Sequence, residues 1–203
     1  MNQEDVSIVT KPSARSPDSP LFGSLKGQRL VVTGASTGIG RAIALECAAA
    51  GAVLVLHART SRAALEAVAE KIHTGGGRAS ILNADLGEES TIDEFAARAW
   101  DMYGGVDLWV NNAGVDLLTG DGAQLPYSRK LARLFEVDVR GTVLLSRIVG
   151  SRMQAAGAGA ILNIGWDQSD RGMGGESGEL FATAKNAIMG FTRSLAVSLA
   201  PQV

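Results

Sequence analysis

Apolar positions fall into short unbroken runs, separated by longer stretches in which they recur every three or four residues. The runs Arg29–Val32, Val53–Leu56, Ala79–Leu82, Val106–Val110 and Ala160–Ile164 are rich in Val, Leu and Ile. Near-continuous apolar runs of this length predict strands covered on both faces. Gly38–Gly51, Ser61–Ile72 and Ser90–Tyr103 read as helices, the first with Ile39, Ala42, Ile43, Cys47 and Ala50 on one stripe. Ser61 is a candidate N-cap, and Gly75-Gly76-Gly77 breaks the helix that it opens. Leu125–Met153 predicts a long helix bent near Arg140-Gly141, and Leu180–Ala200 a last helix halted by Pro201. Strands alternating with helices predict an α/β fold: a doubly wound parallel sheet of the Rossmann type, in one domain.

The first 26 residues break this pattern, with Pro12, Pro17 and Pro20 set among Ser, Lys, Asp and Glu. Such a stretch buries too little apolar surface to offset its ordering. We expect residues 1–26 to be a flexible tail, with a short anchored piece at Leu21-Phe22, and residues 27–203 to be the dinucleotide-binding domain. The formal net charge of -2 gives no basic footprint for nucleic acid. No apolar run has the length of a membrane span, and the N-terminus lacks the apolar core of a signal peptide. Cytoplasmic residence is the default expectation. The lone Cys47 cannot form a disulfide within the chain and reads as a small buried hydrophobe. No metal site is expected.

Chemistry enters at Thr33-Gly34-Ala35-Ser36-Thr37-Gly38-Ile39-Gly40, between the first strand and the first helix. Glycines there permit a tight turn and a close approach of backbone to phosphate. The helix N-terminus adds unpaired N–H groups and partial positive charge. The spacing T-G-x-x-x-G-x-G differs from the G-x-G-x-x-G of many dehydrogenases. At the end of the second strand stands Leu56-His57-Ala58-Arg59-Thr60-Ser61-Arg62, without an acid. An acid there suits the ribose 2′-hydroxyl of NAD, whereas a base suits the 2′-phosphate of NADP. Arg59 presents a planar fork to a phosphate. NADP(H) is thus the expected cofactor in preference to NAD(H). His57 reads as a loop histidine.

With the glycine loop, Asn111-Asn112-Ala113-Gly114 and Phe181-Ala182-Thr183-Ala184-Lys185, the chain from Gln28 onward resembles the short-chain dehydrogenase/reductase family. The resemblance implies that Asp85 meets the adenine amino group while Leu86 offers backbone. It implies that Asn112, Ala113 and Gly114 lie against the cofactor ribose and that Asn111 ties neighbouring strands. Family members use Asn, Ser, Tyr and Lys as catalytic side chains. Lys185 matches the lysine that holds the nicotinamide ribose and lowers the phenol pKa. Phe181 fills the tyrosine position without a hydroxyl, and Asp138 stands at the asparagine position. Gly165 and Trp166 fall where serine is expected, with Ser169 or Gln168 close enough to take its orienting duty. Asp167, Asp170, Glu176 and Glu179, read as a loop before Phe181, are candidate substitute acids, and Tyr127 is placed in a loop after the fourth strand.

The resemblance implies an NADP(H)-dependent oxidoreductase acting on a carbonyl or hydroxyl group of a small molecule, ketoacyl-reductase-like. Because the Tyr, Ser and Asn positions are altered together, two alternatives stand beside it. One is a catalytically impaired dinucleotide-binding sensor or assembly protein. The other is hydride transfer to a substrate that supplies its own proton. Family members continue beyond the equivalent of Val203, so a C-terminally truncated sequence is expected. They associate through the helices after the fourth and fifth strands, which implies a homodimer or homotetramer.

Overall fold

The computed structural model describes residues 24–203; the expected anchor at Leu21-Phe22 lies outside them. Five strands form one parallel sheet: β1 (Arg29–Val32), β2 (Val53–Ala58), β3 (Arg78–Asn83), β4 (Leu108–Asn111) and β5 (Ala160–Asn163). Their spatial order is β3-β2-β1-β4-β5. The chain therefore winds one way from β1 to β3, then crosses back to β4. The cleft above β1 and β4 is the topological switch point, where ligands bind in such sheets.

Adjacent strand residues serve opposite layers, which is why the runs are apolar throughout. Leu30, Val32, Leu54 and Leu56 pack with Leu65, Val68 and Ile72. Those three belong to α2 (Arg62–Thr74), which shares its layer with α1 (Gly38–Ala49). Val31, Val55 and Trp109 face the other way, onto Phe95 and Leu145. That layer holds α3 (Glu89–Asp101) and α6 (Thr142–Ala156). Cys47 is partly buried against the first layer, and burial pushes its thiol up.

The region between β4 and the end of the chain departs most from expectation. A short α4 (Gly120–Ala123) precedes α5 (Tyr127–Leu134), so Tyr127 opens a helix rather than sitting in a loop. The long helix expected over 125–153 runs without a break as α5, a π-helical stretch Phe135–Gly141 that includes the expected bend site Arg140-Gly141, and α6. A π-helix widens the turn locally and often marks a functional site, and here it carries Asp138. After β5 comes a short α7 (Gln168–Arg171), then α8 (Glu176–Leu199). Glu176 and Glu179 thus belong to the first turn of α8, where acids suit the helix dipole. Ser61 precedes α2 as expected but makes no side-chain cap bond. Among the described residues no helix is long and apolar enough to cross a membrane.

Candidate active site

The side chains of Thr33 and Asn112 lock the glycine loop across the switch point. Thr33 Oγ1 accepts the N–H of Asn112 at 2.9 Å and of Ala113 at 3.0 Å. In return, Asn112 Nδ2 donates to the carbonyls of Thr33 and Gly34 at 3.0 and 3.1 Å. The ends of β1 and β4 are thereby stitched together. Gly40 must be glycine: a Cβ there would lie 2.2 Å from the Gly34 oxygen and 2.3 Å from Asn112 Nδ2. Thr37 precedes α1 in extended backbone and makes no side-chain cap bond, so the first-turn N–H groups of α1 keep their capacity for an anion.

His57 corrects the sequence reading. It lies inside β2, 2 % exposed, rather than in a loop. Its Nδ1 accepts the Gly34 N–H at 3.3 Å, which leaves the proton on Nε2, donated to the Ala84 carbonyl at 3.0 Å. The ring also packs on Phe95, with centroids 4.6 Å apart. Burial drives its pKa down to about 4, partly opposed by the Ala84 bond and Asp85. A neutral imidazole thus braces the glycine loop against the end of β3.

A cavity of about 570 Å³ opens at this end of the sheet. Gly34, Ser36, Thr37, Arg59, Asp85, Leu86, Asn112, Ala113 and Gly114 line it. Gly38, Ile39, Gly40 and Lys185 are not among its lining residues; the three former open α1. Asp85 Oδ1 accepts the Gly87 N–H at 2.9 Å, closing a local turn. Volume, glycine cradle and exposed Arg59 fit a phosphorylated dinucleotide, since ligand pockets span about 300–1,000 Å³.

Asp138 and Lys185 meet beside this cavity. Asp138, 2 % exposed, accepts the Val115 N–H on Oδ1 at 2.9 Å. Its Oδ2 lies 3.6 Å from Lys185 Nζ, and Lys185 also donates to the Ile164 carbonyl at 3.1 Å. Burial raises the Asp138 pKa, opposed by the lysine charge and the Val115 bond. The lysine is thus tethered to a carboxylate where the family resemblance implies an amide. Phe181, one turn before Lys185 on α8, packs into an apolar cluster with Leu117, Leu134, Leu180 and Ala184.

Ser169 does not join this group. It is buried on α7 with no hydrogen-bond partner for Oγ among the described residues. Its carbonyl accepts from Asn186 Nδ2 at 2.9 Å. Gln168 turns to its neighbour Asp167 at 3.2 Å. Among the described residues, no cluster of His, Cys, Asp or Glu could hold a metal. Asn111 ties strands as expected: Nδ2 donates to Asn163 Oδ1 at 2.8 Å and to Ser146 Oγ at 2.9 Å.

Sequence reasoning missed Lys130, which is buried on α5 and paired with Glu176 at 2.5 Å. Its spacing offered a signal, since Lys130 lies four residues before the buried Leu134 and so shares its helix face.

The sequence profile of the short chain dehydrogenase family matches residues 28–203. The short-chain reductase protein NovJ of Streptomyces niveus is 36 % identical over 174 residues, covering 84 % of this chain and 63 % of that protein. A 3-oxoacyl-[acyl-carrier-protein] reductase of Synechocystis is 32 % identical over 179 residues, covering 87 % of this chain and 70 % of its own. A short chain dehydrogenase from Burkholderia cenocepacia, solved in complex with NADP, superposes with a TM-score of 0.75 at 32 % identity, covering 88 % of this chain and 71 % of that one. The chain thus spans less than two thirds of NovJ. With the glycine loop, the Asn111–Asn112 turn and the Lys185 helix in place on this sheet, the chain belongs to the short-chain dehydrogenase family.

Proposed function

We propose that this chain is an NADP(H)-dependent oxidoreductase acting on a carbonyl or hydroxyl group of a small, ketoacyl-type substrate. The observation that carries the reading is the 570 Å³ cleft, where the braced glycine loop meets Arg59 and no acid ends β2. The NADP in the Burkholderia relative and the 3-oxoacyl specificity named for the Synechocystis one support it.

Gly34, Ser36, Thr37, Gly38, Ile39 and Gly40 would hold the pyrophosphate, and Arg59 the 2′-phosphate. Asp85 and Leu86 would meet the adenine; Asn112, Ala113, Gly114 and Lys185 would meet the riboses. When bound, the dinucleotide supplies or takes up a hydride. Phe181 holds no proton to accompany it. Lys185 Nζ, one helical turn away, carries N–H groups on this face, so proton delivery would fall to it or to a water beside it. Loss of a positioned general acid costs about 100- to 10,000-fold, so turnover should be slow. The outward residues of α8, among them Val197 at 82 % exposure, support a homodimer or homotetramer.

A second reading, a dinucleotide-binding protein without catalysis, is favoured by one observation: Asp138 engages the lysine that the reaction needs. NADPH oxidation against ketones, ketoacyl thioesters and quinones separates the two, with NADPH binding measured in the same samples. Turnover that disappears in Lys185→Met supports the enzyme. Bound NADPH with no turnover on any of the panel supports the second reading.

A further inference from the structure

A second cavity, of about 260 Å³, is lined by Leu117, Leu118, Leu180 and Phe181, together with Lys130 and Glu176, and it shares Leu117 with the larger cleft. Its walls are apolar apart from one ion pair and Ser177. Lys130 is 9 % exposed, whereas the Glu176 side chain is 49 % exposed. A lysine is rarely placed so deep on an apolar wall without a use for its charge. As a clamp between α5 and α8 the pair would contribute little, because desolvating the ammonium offsets its attraction to the carboxylate.

The pair has the valence of a recognition site. An ammonium carries three N–H donors, and a carboxylate accepts on two oxygens. Their mutual bond, Nζ to Oε1 at 2.5 Å, uses one of each. What remains is two donors beside one carboxylate oxygen, with no net charge, on a largely apolar wall. That arrangement matches a neutral hydroxyl, which accepts from Lys130 and donates to Glu176. It opposes a carboxylate, which Glu176 would repel, and an ether, which can only accept. The volume equals about nine water molecules at ~30 Å³ each, so the occupant is compact.

We propose that this cavity binds a compact, uncharged apolar molecule bearing a hydroxyl group, and that Lys130 and Glu176 together select that hydroxyl. The proposal rests on the oxidoreductase reading only in calling the occupant a substrate; binding itself is tested without turnover.

Three probes of one shape decide it: cyclohexanol, its methyl ether and cyclohexanecarboxylate, titrated into the NADPH-saturated chain and followed by NMR of the Leu methyl and Phe ring signals. Cyclohexanol should bind at least about tenfold more tightly than either other probe, the effect of one hydrogen bond to a charged group. Glu176→Gln, whose Oε1 stays with Lys130, turns an N–H towards the ligand in place of an acceptor and should erase the preference for the alcohol while leaving the ether's affinity unchanged; Lys130→Met should weaken alcohol and ether together. Equal binding of alcohol and ether overturns the proposal, as does tighter binding of the carboxylate or no binding of any probe. A Glu176→Gln variant that weakens all probes alike reduces the pair to a clamp and overturns it too. Should Lys130→Met fail to fold, Glu176→Gln, half exposed, decides alone. Binding as expected without turnover on any substrate would sink the oxidoreductase reading and leave this one standing.

Discussion

The glycine-loop end and the Phe181 end of the cleft rest on one sheet, yet they treat their family pattern in opposite ways. At the first, the proposed recognition rests largely on backbone, the N–H groups of α1 and turns held by the Thr33 and Asn112 side chains, with Arg59 added. At the second, it is made by side chains, and these have changed: a ring without its hydroxyl, a carboxylate for an amide, no serine at the strand end. A backbone site is tied into the packing of the sheet, because altering it moves β1 against β4. A side-chain site can be rewritten with the fold intact, since Phe181 keeps the ring that packs on Leu134 and Leu180. The fold therefore leaves room for the second end to change without the first.

The largest test falls on the rewritten end. Lys185→Met would leave Asp138, 2 % exposed, without its counter-ion. Breaking a buried pair costs about 3–5 kcal/mol. Urea unfolding should show that loss at neutral pH and a smaller loss in acid, where Asp138 takes up a proton. Asp138 itself has a folded pKa raised by burial. The native state therefore holds its proton more tightly, and stability from this group falls as pH rises above its ordinary 3.8. A loss under about 1 kcal/mol at neutral pH would mean that water reaches the carboxylate.

At the glycine-loop end the matching test is acid. His57 is held neutral, its pKa lowered from 6.5 to about 4. The unfolded chain binds the proton more tightly, so stability from this group is full above pH 6.5 and is lost as pH falls towards 4. The span corresponds to roughly 3 kcal/mol. Loss of NADPH affinity should accompany it, because a protonated Nδ1 can no longer accept the Gly34 N–H. His57→Gln keeps a donor and an acceptor and should flatten both profiles. An unchanged acid slope in that variant would remove His57 as the brace.

Much of this division was legible before any coordinates. Strands such as Val53–Leu56 are apolar on both faces and could be little else. Gly34, Gly38 and Gly40 announce a phosphate turn because their spacing follows a strand and opens a helix. The family resemblance assigned Asp138 and Lys185 to one catalytic face, and the structure puts them 3.6 Å apart. What stayed hidden depends on contacts between elements distant in sequence. His57 looked like loop because Ala58 and Arg59 dilute the apolar run, but β3 extends the pairing as far as Ala58. The π-helical turn leaves no periodic signature over seven residues. Lys130 hid because a lysine in a polar helix, mean pattern considered, reads as solvated until α8 arrives to cover it. Ser169 sat close in sequence to the expected serine, but the short α7 buries its hydroxyl away from partners.

A smaller effect, on the order of 1–3 kcal/mol for a forced close contact, comes from Gly40→Ala. Its Cβ would collide with the Gly34 carbonyl, so the loop must shift and NADPH affinity should fall at least about tenfold. Gly38→Ala is the control. No atom lies within 4 Å of a Cβ there, and only its φ of +55° resists substitution, at about 1–2 kcal/mol. Isothermal titration with NADPH reads both. Equal binding losses would mean that backbone conformation, not close approach, shapes the loop.

The smallest expected change is the most telling about the rewritten end. Phe181→Tyr restores the phenol, and if the ring were the sole departure, NADPH oxidation should climb by the about 100- to 10,000-fold that a general acid contributes. The structure argues for far less, about tenfold or below. A phenol with a reference pKa of about 10 needs a neighbouring positive charge to donate and regain its proton near neutrality. Here the charge of Lys185 is already answered by Asp138 Oδ2. Asp138→Asn frees it: the amide keeps an oxygen for the Val115 N–H and drops the counter-charge. The double variant Phe181→Tyr with Asp138→Asn should therefore exceed the product of the single effects. Strict multiplication would show that the two departures are independent. Full rescue by the tyrosine alone would show that the ion pair never restrained the lysine.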